Sequence, residues 1–181
     1  YDANEPVIPL EDMIPDSVPE YFKEQIKEIV QEFSDIFDEN VATMGAKVES
    51  MKIELLPDAN LQYSLPRRFT KALLGCIKDQ VNKLLGAGII RPSTSPVAAQ
   101  IVMVRKKNGD YRMCQDFRPL NLVTVDYKWP LQNTKHLLSR MAGKKFFATS
   151  DMSQGFHQMP LEEDSIPLTA FSTPEGNYEY L

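Results

Sequence analysis

An apolar run of strand character, opening at Phe146-Phe147-Ala148, delivers a single carboxylate, Asp151, to its end, with Gly155 and Phe156 just beyond. An acid at a strand terminus either caps the next helix or binds a cation. Mg²⁺ takes one or two protein carboxylates and completes its octahedron with phosphate oxygens and water, so Asp151 suits a nucleotide-bound magnesium as well as a cap.

The second constellation is basic. Strand-like runs Gln100–Arg105 and Tyr111–Asp116 flank Lys106-Lys107-Asn108-Gly109-Asp110, and Asn108-Gly109 is the pair that best tolerates the positive backbone angles of a tight hairpin turn. The hairpin gathers Arg105, Lys106, Lys107 and Arg112 on or beside one tip. Such cations can clamp a polyphosphate by charge and by bidentate arginine contacts, or form a solvated basic turn; the residues alone leave both open. His136 and His157 stand singly and read as packing or hydrogen-bonding residues. Cys76 and Cys114 have no second Cys or His at ligand spacing, which favours reduced, buried thiols.

The elements that must position these groups are legible from periodicity. Phe22, Ile26, Ile29, Val30, Phe33 and Phe37 predict an amphipathic helix over Pro19–Phe37, capped by Asp16 or Ser17, that packs on a neighbour. One short strand is expected over Val48–Leu55. Leu74, Ile77, Val81, Leu84 and Leu85 predict a second helix from Lys71 to Leu85, capped by Thr70 and ended by Gly86 or Gly88. Pro92 and Pro96 make Arg91–Pro96 a loop. A short helix over Leu131–Met141, a buried strand over Phe146–Asp151, and a hairpin of Leu168–Ser172 with Tyr178–Leu181 complete the reading. Mixed helices and antiparallel strands imply an α+β fold.

Composition is ordinary for a globular chain: 181 residues, 43% hydrophobic and 25% charged. The N-terminal residues show no basic region followed by an apolar run, and no apolar run is long enough for a membrane span, so an intracellular setting is expected. The net charge of -5 hides a division. Residues 1–62 hold 4 Lys+Arg against 15 Asp+Glu, whereas 63–181 hold 16 against 10. A basic half behind an acidic one suits a module that meets polyanions after a spacer that does not. A soft domain boundary is placed at residue 62.

Taken in order, GIIRPSTSPVAAQIVMVRKKNGDYRMCQDFRPLN, WPLQNTKHLLSRMAGKKFFATSDMSQGFHQMPL and LTAFSTPEGNYEYL resemble the reverse transcriptases of gypsy-type LTR retrotransposons. The match runs from Lys52 to Leu181 almost without gaps, and three blocks in order are far more specific than any single motif. Residues 1–62 resemble, more faintly, the connector between protease and polymerase in such polyproteins. The resemblance implies the fingers and first part of the palm of a right-hand polymerase fold, cut before the palm is complete.

It also implies roles. Asp151 matches the family's first catalytic aspartate, and the backbone carbonyl of Met152 would be a second ligand of the same ion. Two Mg²⁺ ions then activate the primer 3′-hydroxyl and hold the triphosphate of an incoming deoxynucleotide. Arg112 matches the fingers arginine on that triphosphate. Lys106 is the best match for the lysine on its terminal phosphate, with Arg105 and Lys107 as alternatives because hairpin length varies. The N–H groups of Gln154 and Gly155 would face the triphosphate, and Phe156 stands where the family has an aromatic ring beneath the sugar. Asp116, Phe117 and Arg118 match a block that mainly supports the fingers.

The match stops at Leu181, ahead of the family's Tyr-x-Asp-Asp hairpin, thumb and ribonuclease H. The expectation is therefore an RNA-directed DNA polymerase segment that does not polymerise alone and that works on an RNA or DNA template-primer in cytoplasmic virus-like particles. The competing expectation is a non-catalytic retrotransposon remnant that binds nucleic acid or serves as a scaffold. A plain nucleic-acid-binding module would explain the hairpin but not the ordered blocks.

Overall fold

A computed structural model describes residues 14–34, 47–61, 63–128, 130–145, 147, 149, 152 and 154–181. Helices α1 (Glu20–Glu32), α2 (Lys71–Gly86), α3 (Arg118–Val123) and α4 (Thr134–Met141) accompany strands β1 (Ile90–Pro92), β2 (Ala99–Arg105), β3 (Tyr111–Gln115), β4 (Phe171–Thr173) and β5 (Gly176–Tyr180). The strands form one sheet in the order β1-β5-β4-β2-β3. All pairings are antiparallel except β2 with β4, which is parallel and joins the two hairpins.

Helix α2 covers one sheet face. Its Ile77 and Val81 are buried and pack with Ile89, Ile90, Ile101, Met113 and Phe171, flanked by Leu84, Leu85, Tyr178 and Tyr180. Alternation along the strands puts these residues on one side. The helix ends as its glycines require: Gly88 adopts φ +68°, its N–H donates to Leu85 O, and Ile89 N–H donates to Leu84 O. This pair of bonds satisfies the last free carbonyls. Thr70 occupies the N-cap but makes no side-chain capping bond.

Several expectations change. Helix α1 ends at Glu32, and Phe37 lies outside the described residues. Pro19 holds its N-cap position, while Asp16 pairs with Lys23 at 3.5 Å instead of capping. No residue of α1 is buried, and Phe22, Ile26, Ile29 and Phe33 face solvent because no described element covers them. Pro92 belongs to β1, not to a loop, which an edge strand allows because the missing N–H is not needed there. Leu131 is exposed, and α4 starts at Thr134, where the Asn133 side chain accepts from Lys135 N. Leu168 falls in a 3₁₀ turn, Ile166–Thr169, ahead of β4.

In place of the strand expected over Val48–Leu55 is a strap. Met51 bridges Leu161, its N–H donating to Pro160 O at 2.7 Å and its carbonyl accepting from Glu162 N at 3.0 Å. Ile53 N–H donates to Ser165 Oγ at 2.8 Å. On its other edge Leu56 N–H donates to Val123 O and Val125 N–H to Glu54 O, both at 2.8 Å. The Tyr127 hydroxyl donates to Glu54, which, with Lys52 nearby, holds that carboxyl below the ordinary carboxylate range. The chain here is spent on linking two segments, not on a ladder of its own.

Candidate active site

The basic hairpin forms with β2 and β3 in the register Val104↔Arg112 and Arg105↔Tyr111. Its turn differs from a two-residue connection. Gly109 N–H donates to Lys106 O at 3.1 Å, Lys106 N–H to Asp110 O at 2.7 Å, and among Lys107, Asn108 and Gly109 only Gly109 has positive φ, at +97°. This is a turn closed by a glycine bulge. The Asn108 side chain accepts from Asp110 N at 3.0 Å and donates to Asp110 Oδ2 at 2.8 Å, which stiffens the tip. The register also separates the cations. Arg112 shares a face with Val104, whereas Arg105 points to the other side with Tyr111. Lys106 is partly buried; Arg105, Lys107 and Arg112 are exposed.

The second group sits in the 3₁₀ turn Gly155–Gln158. Gln154 precedes it with φ 50°, a left-handed conformation, and accepts His157 N–H at its carbonyl at 2.8 Å. His157 Nδ1 lies 3.0 Å from Gln154 Oε1, so the side chain closes the same loop. A Cβ at Gly155 would meet Met152 Cβ at 3.3 Å, tighter than ordinary contact. Phe156 is 96% exposed, its ring offered to whatever approaches.

The turn is tied to the sheet from behind. His157 stacks on Tyr180 of β5 with ring centroids 5.7 Å apart and planes 22° from parallel. Tyr180 in turn packs on Phe171 of β4, which pairs with Ala99 of β2, the strand that carries the hairpin. Burial pushes the His157 imidazole below its ordinary pKa and the Tyr180 phenol above its own. Both rings are thus held neutral. Sequence reasoning treated His157 as a packing residue but gave no sign of what it packs on.

Asp151 lies outside the described residues, as do Phe146, Ala148, Ser150 and Ser153. The described members of the expected buried strand, Phe147 and Thr149, are exposed and unpaired, since the sheet offers that segment no strand partner among the described residues. Met152 is 62% exposed. Among the described residues no three His, Cys, Asp or Glu side chains converge to hold a metal. Asp116 and Arg118 form a bidentate pair, Nε to Oδ1 at 2.7 Å and Nη2 to Oδ2 at 2.6 Å, and the guanidinium holds the Asp116 carboxyl down at about 2.

Residues 104–180 match the family model for reverse transcriptase (RNA-dependent DNA polymerase). The chain is 36% identical over 156 residues to the retrovirus-related Pol polyprotein from transposon opus of Drosophila melanogaster, covering 83% of this chain and 16% of that protein. It is also 36% identical over 110 residues to the Pol polyprotein from transposon gypsy of the same fly, covering 58% of this chain and 11% of that one. The chain belongs to the retrotransposon reverse transcriptases. This reverse transcriptase segment spans only a small part of those polyproteins. Its fold is that of the fingers and part of the palm: prototype foamy virus protease-reverse transcriptase superposes with a TM-score of 0.76 at 22% identity, covering 91% of this chain and 22% of that one. The foamy viral protein has also been solved in complex with an RNA/DNA hybrid, and that structure superposes at 0.72 with 19% identity, again over 91% of this chain and 22% of that one.

Proposed function

We propose that this segment supplies the nucleotide-binding half of an RNA-directed DNA polymerase, adding deoxynucleotides to a primer 3′-hydroxyl on an RNA or DNA template. One observation carries the reading: a single sheet bears the basic hairpin and, through the His157–Tyr180 stack, the turn of Gln154, Gly155 and Phe156. Lys106 and Arg112 meet the triphosphate by charge and by the arginine fork. The N–H groups of Gln154 and Gly155 donate to the same phosphates, and Phe156 packs beneath the sugar. Template-primer binding has support from the foamy viral relative solved with a hybrid duplex.

Asp151 and the Met152 carbonyl would hold Mg²⁺. The ions, when bound, activate the attacking hydroxyl and stabilise charge on the leaving pyrophosphate. The remaining carboxylates belong, in this reading, to the rest of the palm, so the 181-residue segment binds but does not polymerise. Residues 1–62 serve as an acidic connector, and residues 63–181 are the fingers and incomplete palm. The test is template-directed incorporation of labelled deoxynucleotide by the complete polymerase and by its Asp151→Ala variant. Loss of incorporation in the variant is expected; equal incorporation overturns the proposal.

A further inference from the structure

The sheet face opposite α2 carries a polar row that the polymerase reading does not use. Across the strands Arg91 faces Glu179, Asn177 stands two residues before Glu179 on β5, and Asn177, Ser172 and Gln100 lie in line across β5, β4 and β2. Every acceptor of the row is engaged. Glu179 takes Arg91 Nε on Oε1 at 2.8 Å and the Ser93 hydroxyl on Oε2 at 2.5 Å. Asn177 Oδ1 accepts from Ser172 Oγ at 3.0 Å and from the Tyr63 hydroxyl at 3.3 Å. Gln100 Oε1 accepts from Arg67 Nε at 2.7 Å, and its amide donates to Leu65 O at 3.1 Å.

Two arginines are therefore fixed in the same way, each by its Nε, at opposite ends of the row. The carboxylate that seats Arg91 is withdrawn from solvent, its side chain 7% exposed against 45% for Arg91. Arg67 is exposed and hydrogen-bonded to a neutral seat, with the Asp116 carboxylate close enough to feel its charge; Arg68 stands exposed beside it. A guanidinium pinned through Nε still has its terminal N–H donors, and the described contacts of Arg67 and Arg91 do not use them. From strand spacing and rise, the two seats lie about 12 Å apart. A flexible arginine pays rotamer entropy to grip an anion, and a seated one has already lost it.

We propose that Arg91 and Arg67 form a two-point track for a nucleic-acid phosphodiester backbone, with Glu179 and Gln100 as positioning residues. This rests on the polymerase reading for its partner, and the basic balance of residues 63–181, 16 cations against 10 anions, favours a polyanion over an acidic protein.

The test is fluorescence-anisotropy titration of the full chain with labelled single-stranded RNA and DNA over a range of salt, for the unaltered protein and for Arg91→Ala, Arg67→Ala, Arg91→Lys and Glu179→Gln. Each alanine variant should weaken binding by about tenfold and lower the salt slope by about 0.7. Arg91→Lys should lose most of that affinity although it keeps the charge. Glu179→Gln should weaken binding although it removes a negative charge, and melting curves will show whether it remains folded. Stronger binding by folded Glu179→Gln would overturn its positioning role. Unchanged affinity in both alanine variants overturns the track and leaves the polymerase reading standing. Absence of binding by the unaltered chain also overturns the track, while the polymerase reading stands or falls on incorporation by the complete polymerase. Competition by polyglutamate as effective as by unlabelled strand would assign the face to an acidic protein and also overturn the track.

Discussion

The imidazole of His157 lies face to face with the phenol ring of Tyr180, centroids 5.7 Å apart, and this stack joins the Gly155–Gln158 turn to the sheet. Desolvation keeps the ring neutral, with its pKa below the ordinary value of 6.5. As pH falls the unfolded chain takes up this proton first. The stability that the neutral ring confers is therefore complete above about pH 6.5 and is lost as the pH drops from there through the lowered value. Melting temperatures measured at about pH 7.5 and 5.5 should fall more for the natural protein than for His157→Phe, which keeps the stack and has no proton to gain. Equal falls would mean that other groups carry the effect.

Asp116 and Arg118 give the opposite acid window. The bidentate guanidinium lowers the Asp116 carboxyl from 3.8 to about 2, so whatever the pair adds is present above about pH 4 and disappears between those two values. Because the Arg118 guanidinium is exposed to solvent screening, the stabilisation is expected to be small. A carboxyl titration by nuclear magnetic resonance should place the Asp116 midpoint near 2 and return it towards 3.8 in Arg118→Ala. A midpoint unmoved by that substitution would remove Arg118 as the cause.

Gly88 isolates a backbone effect. A Cβ there would meet nothing within 4 Å, yet φ is +68°, where L side chains are strained. Gly88→Ala should cost about 1 to 2 kcal/mol in denaturant unfolding, all of it conformational. Gly86→Ala has the same open space and an ordinary helical backbone, and should be neutral or slightly stabilising.

Phe156 isolates a functional effect, since a ring 96% exposed contributes little to folding. Phe156→Val and Phe156→Ala should change unfolding free energy by no more than about 0.5 kcal/mol. In the complete polymerase both should admit ribonucleotides. Losing a clash of about 2 to 3 kcal/mol against the 2′-hydroxyl shifts the ratio of catalytic efficiencies by about 30- to 160-fold. An unchanged ratio would make Phe156 a surface ring without a part in sugar selection.

What the sequence disclosed and what it hid divide along physical lines. Helix α2 was readable to its ends because Ile77 and Val81 repeat at the helical period and Gly88 supplies the stop. The hairpin was readable because its turn chemistry is local. Its closing geometry was not, because whether Asn108 takes positive φ depends on the Asp110 contacts that hold it. The apolar stripe of α1 announced a helix but not a partner, since periodicity marks a face and says nothing of what covers it. The parallel β2–β4 pairing and the Arg91–Glu179 bond were invisible because both join segments about seventy or more residues apart. At the site, residue roles came from the family resemblance, whereas the left-handed Gln154 and the His157–Tyr180 support came only from the fold.

The strap from Met51 to Leu56 lies on the acidic side of the point at which the charge of the chain changes sign, yet the backbone partners that staple it lie on the basic side. A division drawn from charge, or from the matched residues 104–180, would sever backbone bonds to Pro160, Glu162, Val123 and Val125. Any protease cut or cloning boundary meant to free the basic half intact therefore has to fall ahead of Met51, and one placed at residue 62 releases two loose edges in place of a stapled body.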